Sequence, residues 1–332
     1  MKNMYLIIVL ILTMSFLLIP LLATNGSKEG EKIIISSTST SKDEIHTEND
    51  EFEILDEIKV YLTDSQTTLT VEKNEYILGV VAAEMSAENN LEALKAQALA
   101  AYTFAYRKHI QNSKTNNEYD LTNDSTLDQR YIDEEERRVK WGEKFDDNEN
   151  KLKKAVEAVK NQLIVYNGEP ILAAYHAISA GKTETAKNVW GTDYPYLQSE
   201  NSVGDLLCAD FYSELSVSAD DFTKKITELE IQVTGEMDKA IGNIKKSPSG
   251  TVLNIEVCGK KVTGAQMREA FALRSAAFDV IYKEGSFVFT VSGYGHGVGM
   301  SQFGANYMAQ QGSDYKEILS AYYRGVEIVD IK

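Results

Sequence analysis

Cysteine and positive charge are both scarce in this 332-residue chain. Its two cysteines, Cys208 and Cys258, are too few for a disulfide framework and leave room for one bridge at most, if the domain lies outside a membrane. Lys and Arg number 34 against 50 Asp and Glu, a formal net charge of −16. Such a surface repels phosphate backbones and argues against nucleic acid as a partner. Several chemical spacings are missing as well. No Gly-Lys-Ser/Thr closes the glycine-rich loop near the C-terminus, so that loop is not a phosphate cradle. Cys208, Cys258, His176 and His296 show no CxxC or HxxxH spacing, which leaves zinc little support. There is no GxSxG elbow for a serine hydrolase, no internal repeat, and no regular βαβ alternation.

Charge is also absent from MYLIIVLILTMSFLLIPLLA, Met4 to Ala23, and about 20 apolar residues suffice for a helix to cross a bilayer. Lys2 in front of it favours a cytoplasmic start, with everything after Ala23 outside. A cleaved signal peptide is the competing reading, but Leu21-Leu22-Ala23 is a poor cleavage site and the run is long for one. Residues 1–23 are therefore expected to form an uncleaved anchor. Residues 24–56 are rich in Ser, Thr, Lys and acids and poor in large apolar side chains, as in a disordered acidic tether. Residues 57–332 are expected to be a single folded ectodomain.

Within that ectodomain IKVYL and TTLTVE alternate as short strands around Thr63, Asp64 and Ser65. EYILGVVAAEM has helical spacing, and Leu91 to Ile110 forms the strongest helix, with no internal Gly or Pro and with Asn89 or Ser86 as its cap. The charged run EEERRVKWGEKFDDNENKLKKAVEAVK predicts a solvated helix or helix pair. Hairpins are expected around Gly168 and Gly259, helices over Leu215–Leu229 and Gly235–Ile244, and a strand, glycine loop and helix in FVFTVSGYGHGVGMSQFGANYMAQQG. SDYKEILSAYYRG and VEIVDI close the chain as helix and strand. The fold class is α+β: mixed helices and short antiparallel sheets.

Three segments could carry chemistry. Glu84 ends the apolar run Leu78, Val80, Val81, Ala82, Ala83. Pressed against apolar neighbours it would hold a raised pKa and could donate a proton; turned outward it is an ordinary helix end. Periodicity leaves both open. The loop Gly293 to Ala305 around His296 is either a ligand-approaching backbone or a tight turn about a buried histidine. The block Tyr175 to Leu197 gathers His176, Ser179, Thr183, Glu184, Trp190 and two tyrosines, either a sugar site or core.

Taken in order, EYILGVVAAEM, LEALKAQALAAYTFAYRK, YHAISAGKTE…VWG…PYL, LRS, GYGHGVGMSQFGA and a closing Tyr322-Tyr323…Gly325 resemble the stage II sporulation protein D family. These are membrane-anchored lytic transglycosylases of endospore formers, related to amidase enhancers, and the resemblance runs from about Ile58 to Ile331. It implies that Glu84 is the catalytic acid/base and that the MurNAc–GlcNAc bond of peptide-stripped glycan is cut to a 1,6-anhydro end during forespore engulfment. One carboxylate then suffices, because the substrate's own C6 hydroxyl replaces the water or nucleophile that two-carboxylate glycosidases require. Lys95, Tyr102, Tyr175, Ser179, Thr183, Glu184, His296 and Gln302 are carried over as substrate-binding positions.

Three positions depart from the family wording. Tyr102 stands where relatives carry an arginine, Ala180 replaces a glycine, and Lys182 replaces an arginine, and neither tyrosine nor lysine reproduces a guanidinium's fixed donor fork. Some relatives bind zinc through an inserted Cys/His cluster; His109 stands alone between Lys108 and Tyr175, so no metal and no cofactor is expected. Expected partners are peptidoglycan strands, a cell-wall amidase and a polytopic membrane protein of the engulfment machinery, in the space between mother cell and forespore. The alternative is a non-catalytic glycan-binding scaffold that activates the amidase.

Overall fold

The computed structural model describes residues 52–332 apart from Asn116 and Ser125. The anchor expected at residues 1–23 and most of the tether lie outside the described residues. Among the described residues no helix is long and apolar enough to cross a membrane. The folded body begins earlier than composition suggests: Phe52, Ile54 and Leu55 pack on the main core, and the Tyr106 hydroxyl donates to the Glu53 carbonyl at 2.9 Å. Three large apolar residues in four are enough to pin the end of an otherwise polar segment.

Two helices organise the main core. Lys73–Glu84 is capped by the Glu72 carboxylate, which accepts from the Glu75 amide at 2.9 Å. Leu91–Ser113 starts where expected, but its cap is Asn90 and not Asn89 or Ser86: Asn90 Oδ1 accepts from the Glu92 amide at 3.0 Å. Its run of Ala93, Ala96, Ala98, Ala100, Ala101 and Ala105 is fully buried. Small residues on nearly every side let neighbours approach a central helix from all directions, which explains its lack of an amphipathic stripe. Around it lie a sheet of strands Glu57–Leu62, Thr67–Glu72 and Leu121–Thr122, and another of Gln162–Tyr166, Glu169–Pro170 and Glu327–Asp330. The predicted turns at Thr63–Ser65 and Gly168 are where they were expected.

A second core is built from Phe222, Phe271, Phe287, Phe289 and aliphatic neighbours, with the Phe222 and Phe287 rings stacked at 3.7 Å between centroids. Strands Tyr212–Ser218, Phe278–Lys283 and Ser286–Ser292 form one sheet there, and Ile241–Lys246, Val252–Val257 and Lys260–Val262 the other. This corrects two expectations. The first residues of Leu215–Leu229 are strand, and the helix Ala219–Glu228 begins only after Ser218 caps it. Alternating exposure along Tyr212–Ser218 and pairing with Ser286–Ser292 decide the matter. Likewise Gly235–Ile244 holds a single short turn, Met237–Lys239, and then joins a ladder with Val252–Val257.

The mixed α+β class holds, but the sheets are not all antiparallel. Glu57–Leu62 pairs in parallel with Leu121–Thr122, and Met300–Ser301 in parallel with Tyr175–His176. The charged run does form a helix pair, Glu134–Trp141 and Phe145–Ala158, yet it is not wholly wet. Arg137 is fully buried, donating to Glu149 at 3.0 and 3.2 Å, to Glu75 at 2.7 Å and to the Ile132 carbonyl at 3.1 Å. Burial opposes its charge, and the bonds to Glu149 and Glu75 more than offset it, so its pKa is raised.

Candidate functional site

Glu84 is the last residue of its helix and half-buried. No basic residue of its own helix stands in the final turn, so any positive charge near it comes from other segments. Burial raises its pKa above the ordinary 4.5. Opposing that are a hydrogen bond from Gln302 Nε2 to Oε2 at 3.3 Å, another from the Arg130 backbone amide, and the charges of Arg130 and Lys140. The net direction is upward, which favours the protonated carboxyl more than in a solvent-exposed glutamate.

Each of these neighbours is delivered by a distinct device. Gly79 is crossed so closely by the following segment that a Cβ there would lie 2.4 Å from the Ile132 carbonyl and 2.5 Å from the Tyr131 ring. Having no side chain, it lets residues 129–132 lie against the helix and bring Gln129 and Arg130 to its C-terminal end. Gln302 arrives through the parallel pairing of Met300 with Tyr175 and Ser301 with His176. Gly299 permits that approach: its φ is +73°, and a Cβ would stand 2.0 Å from the Ala174 carbonyl oxygen. Ser301 then caps the helix Gln302–Gln310, so Gln302 projects from its first turn.

Tyr175 joins the group. Its hydroxyl donates to Gln129 Oε1 at 2.8 Å, while Gln129 Nε2 donates to the Tyr76 hydroxyl and the Ala101 carbonyl, each at 3.0 Å. Burial and then the Glu84 charge raise the Tyr175 pKa. Gln302 Nε2 also reaches Gln97 Oε1 at 3.4 Å. One groove of about 380 Å³ is lined by Glu84, Ser86, Glu88, Lys140, Trp141 and neighbours, and another of about 540 Å³ by Arg130, Glu135, Glu136, Val139 and Lys140. The two adjoin at Ala83 and Lys140, and the channel that Glu84 lines is the first of them. Glu88, the other carboxylate of its stretch, is mostly exposed and paired with Lys144 at 3.1 Å.

Other expected positions fall elsewhere. Lys95 pairs with Glu92 at 2.6 Å and lies over the Tyr315 ring, not against Glu84. Tyr102 is 2% exposed, at the middle of its helix, edge-on to Tyr106 and under Lys73, which begins the helix that Glu84 ends, so it cannot touch a bound strand. Ser179, Thr183 and Glu184 are at most 2% exposed. The Ser179 amide donates to Asp205 at 2.8 Å, Thr183 accepts from the Glu200 amide, and Glu184 accepts from Thr185, Asn188 and the Ser247 hydroxyl. These three bind chain to chain and hold the site from behind. Asp205, which the sequence did not single out, is the hub: it also accepts from Ser301 at 2.8 Å, immediately before Gln302.

His296 is partly exposed beside Trp190, 5.1 Å between ring centres, and 5.7 Å from His176. Its Nδ1 accepts from the Val298 amide at 3.0 Å, and its ring donates to the Tyr175 carbonyl. Burial, then the Arg268 charge, lowers its pKa to about 4; burial, then His296, lowers that of His176 to about 3. Both rings are neutral at pH 7. Among the described residues no group of three or more His, Cys, Asp or Glu is placed to hold a metal, and Cys208 and Cys258 are free thiols. Gln97, Gln129, Arg130 and Lys140 complete the site. Gln97 and Lys140 stand on helices that the sequence shows; Gln129 and Arg130 come from a polar stretch with no periodic signal.

The family model described as Stage II sporulation protein matches residues 61–166. Stage II sporulation protein D of Bacillus amyloliquefaciens is 36% identical over 273 residues, covering 82% of this chain and 78% of that protein. The protein of the same name from Bacillus subtilis strain 168 is 35% identical over the same shares of each chain. The amidase enhancer of Bacillus subtilis strain 168 is 27% identical over 300 residues, 75% of this chain and 40% of that protein.

Proposed function

The chain belongs to the stage II sporulation protein D family, and from that premise we propose that it is a peptidoglycan lytic transglycosylase that uses Glu84 as its one acid/base. The observation that carries this reading is a half-buried carboxyl with a raised pKa, hydrogen-bonded by Gln302, facing an open channel. In the proposed reaction Glu84 protonates the glycosidic oxygen between N-acetylmuramic acid and N-acetylglucosamine, and the bond from C1 to that oxygen breaks. The sugar passes through an oxocarbenium-like state. The Glu84 carboxylate then takes the proton of the C6 hydroxyl as that oxygen bonds to C1, closing the 1,6-anhydro ring and returning Glu84 to its acid form. No water is consumed. Gln302 and the Arg130 amide fit the anionic half of that cycle, because each donates to the carboxylate.

Acting in forespore engulfment, tethered by its N-terminal apolar segment outside the membrane, the protein would cut strands already stripped of stem peptides. The test is to digest stripped glycan and weigh the products. Anhydro ends from wild type and none from Glu84→Gln support the proposal; reducing ends would make it a hydrolase.

The name of its amidase-enhancer relative favours one second reading, a glycan-binding scaffold that activates a wall amidase without cutting. Wild type that binds glycan, stimulates an amidase and yields no new ends would establish it.

A further inference from the structure

A second cavity, of about 610 Å³, opens beside His296 and is lined by Asn188, Tyr294, Arg268 and Arg274 among others. Arg274 lies with its guanidinium carbon 4.6 Å above the Tyr294 ring centre, and Tyr294 is half exposed. Arg268 uses its Nε to donate to the Leu273 carbonyl at 3.3 Å, which leaves its terminal nitrogens free to face the cavity. Among the described residues neither arginine has an ion-pair partner, unlike Arg137, Arg138 and Arg324; of the other two without one, Arg107 donates to the Pro170 carbonyl and Arg130 lies near Glu84. Glu269, also at this cavity, is exposed and pairs with neither. Two guanidinium groups partly withdrawn from water with no counter-ion are costly to a fold unless something anionic occupies the space between them.

The surroundings restrict what that anion belongs to. Tyr294 offers a flat face, and the Trp190 ring, 42% exposed, extends the aromatic surface past His296. Aromatic faces beside planar cationic forks suit a sugar that carries a carboxylate. His296, which lines the cavity, also donates to the backbone carbonyl of Tyr175, whose hydroxyl feels the Glu84 charge, so one residue links the cavity wall to the surroundings of Glu84.

We propose that Arg268 and Arg274 form a carboxylate subsite for the lactyl group of peptide-stripped muramic acid. The inference rests on the glycan reading given above. Hydrolysing the amide between the lactyl group and a stem peptide leaves one free carboxylate on every muramic acid, so a stripped strand is a regular polyanion. A protein of net charge −16 repels such a strand. An unpaired arginine pair reverses that locally and recognises a carboxylate at the lactyl position, where an unstripped strand carries an amide instead.

The experiment measures binding to the full chain carrying Glu84→Gln, so that nothing is cut. The probes are stripped glycan and the same glycan with its lactyl carboxyls methyl-esterified. The ester should bind about 10- to 100-fold more weakly, the range for a hydrogen bond to a charged group, and rising salt should narrow the gap. Arg268→Gln combined with Arg274→Gln should lose the discrimination while binding ester as before. In wild type the same preference should appear in KM for anhydro-end release, with kcat little changed. Equal binding of acid and ester overturns the subsite and leaves the glycan reading standing. Binding of neither overturns both.

Discussion

Gln302 Nε2 donates to Glu84 Oε2 at 3.3 Å, joining residues 218 positions apart. That bond stabilises the anion and so holds the Glu84 pKa below where burial alone would put it. Gln302→Leu should therefore raise the Glu84 pKa further. Carboxyl-carbon NMR titration should show a wild-type value above 4.5 and a higher one in the variant. Under the acid/base proposal, the alkaline limb of cleavage should move to higher pH with it; an unmoved titration would show that the amide does not sense the charge.

Gly79→Ala places a methyl within 2.4 Å of the Ile132 carbonyl. Backbone cannot give as a side-chain tip can, so the segment carrying Gln129 and Arg130 must shift. The expected cost is about 1–3 kcal/mol in urea unfolding, with a lower rate of glycan cleavage although no reacting group has changed. Wild-type stability and rate would show that the crossing is loose.

Arg137→Ala leaves Glu149, itself 4% exposed, buried without its main cation. The loss should be about 3–5 kcal/mol of unfolding free energy. Arg137→Ala with Glu149→Leu should recover part of it, since both buried charges are then gone. A double variant no better than the single one would mean that packing, not charge, was lost.

Acid should destabilise the fold through two histidines. Unfolded histidine titrates near 6.5, while folded His176 and His296 stay neutral down to about 3 and about 4. The unfolded chain therefore binds up to two more protons between those limits. Their contribution to stability is fully present above pH 6.5 and falls as pH drops through that window. His296→Gln should remove about one proton from the slope of unfolding free energy against pH between 4 and 6. An unchanged slope would place the acid sensitivity elsewhere.

Tyr102→Phe should leave the rate of glycan cleavage within about twofold of wild type. Tyr102 is packed against Tyr106 and Lys73 in the core, remote from the channel, and surface-blind changes of this kind are usually small. A large loss in turnover with stability unchanged would return Tyr102 to the site.

Local pattern was enough to determine the two central helices, most hairpins, the α+β class and the family. Helical spacing in EYILGVVAAEM, the alanine-rich run after Asn90, and Gly168 and Gly259 between apolar runs are short-range signals that survive into the fold. The strand at Tyr212–Ser218 was hidden because its identity comes from a partner some seventy residues away. The same reason governs the site. Nothing within ten residues of Glu84 distinguishes a helix end from an acid in a channel. Its environment is assembled from Gln302, brought by a parallel strand pair, and from Gln129 and Arg130, brought over Gly79. Burial likewise separated His296, which lines a cavity, from Ser179, Thr183 and Glu184, which tie loops together. A sequence names residue types and their order, but solvent exposure and the partner of each polar atom belong to contacts between distant segments.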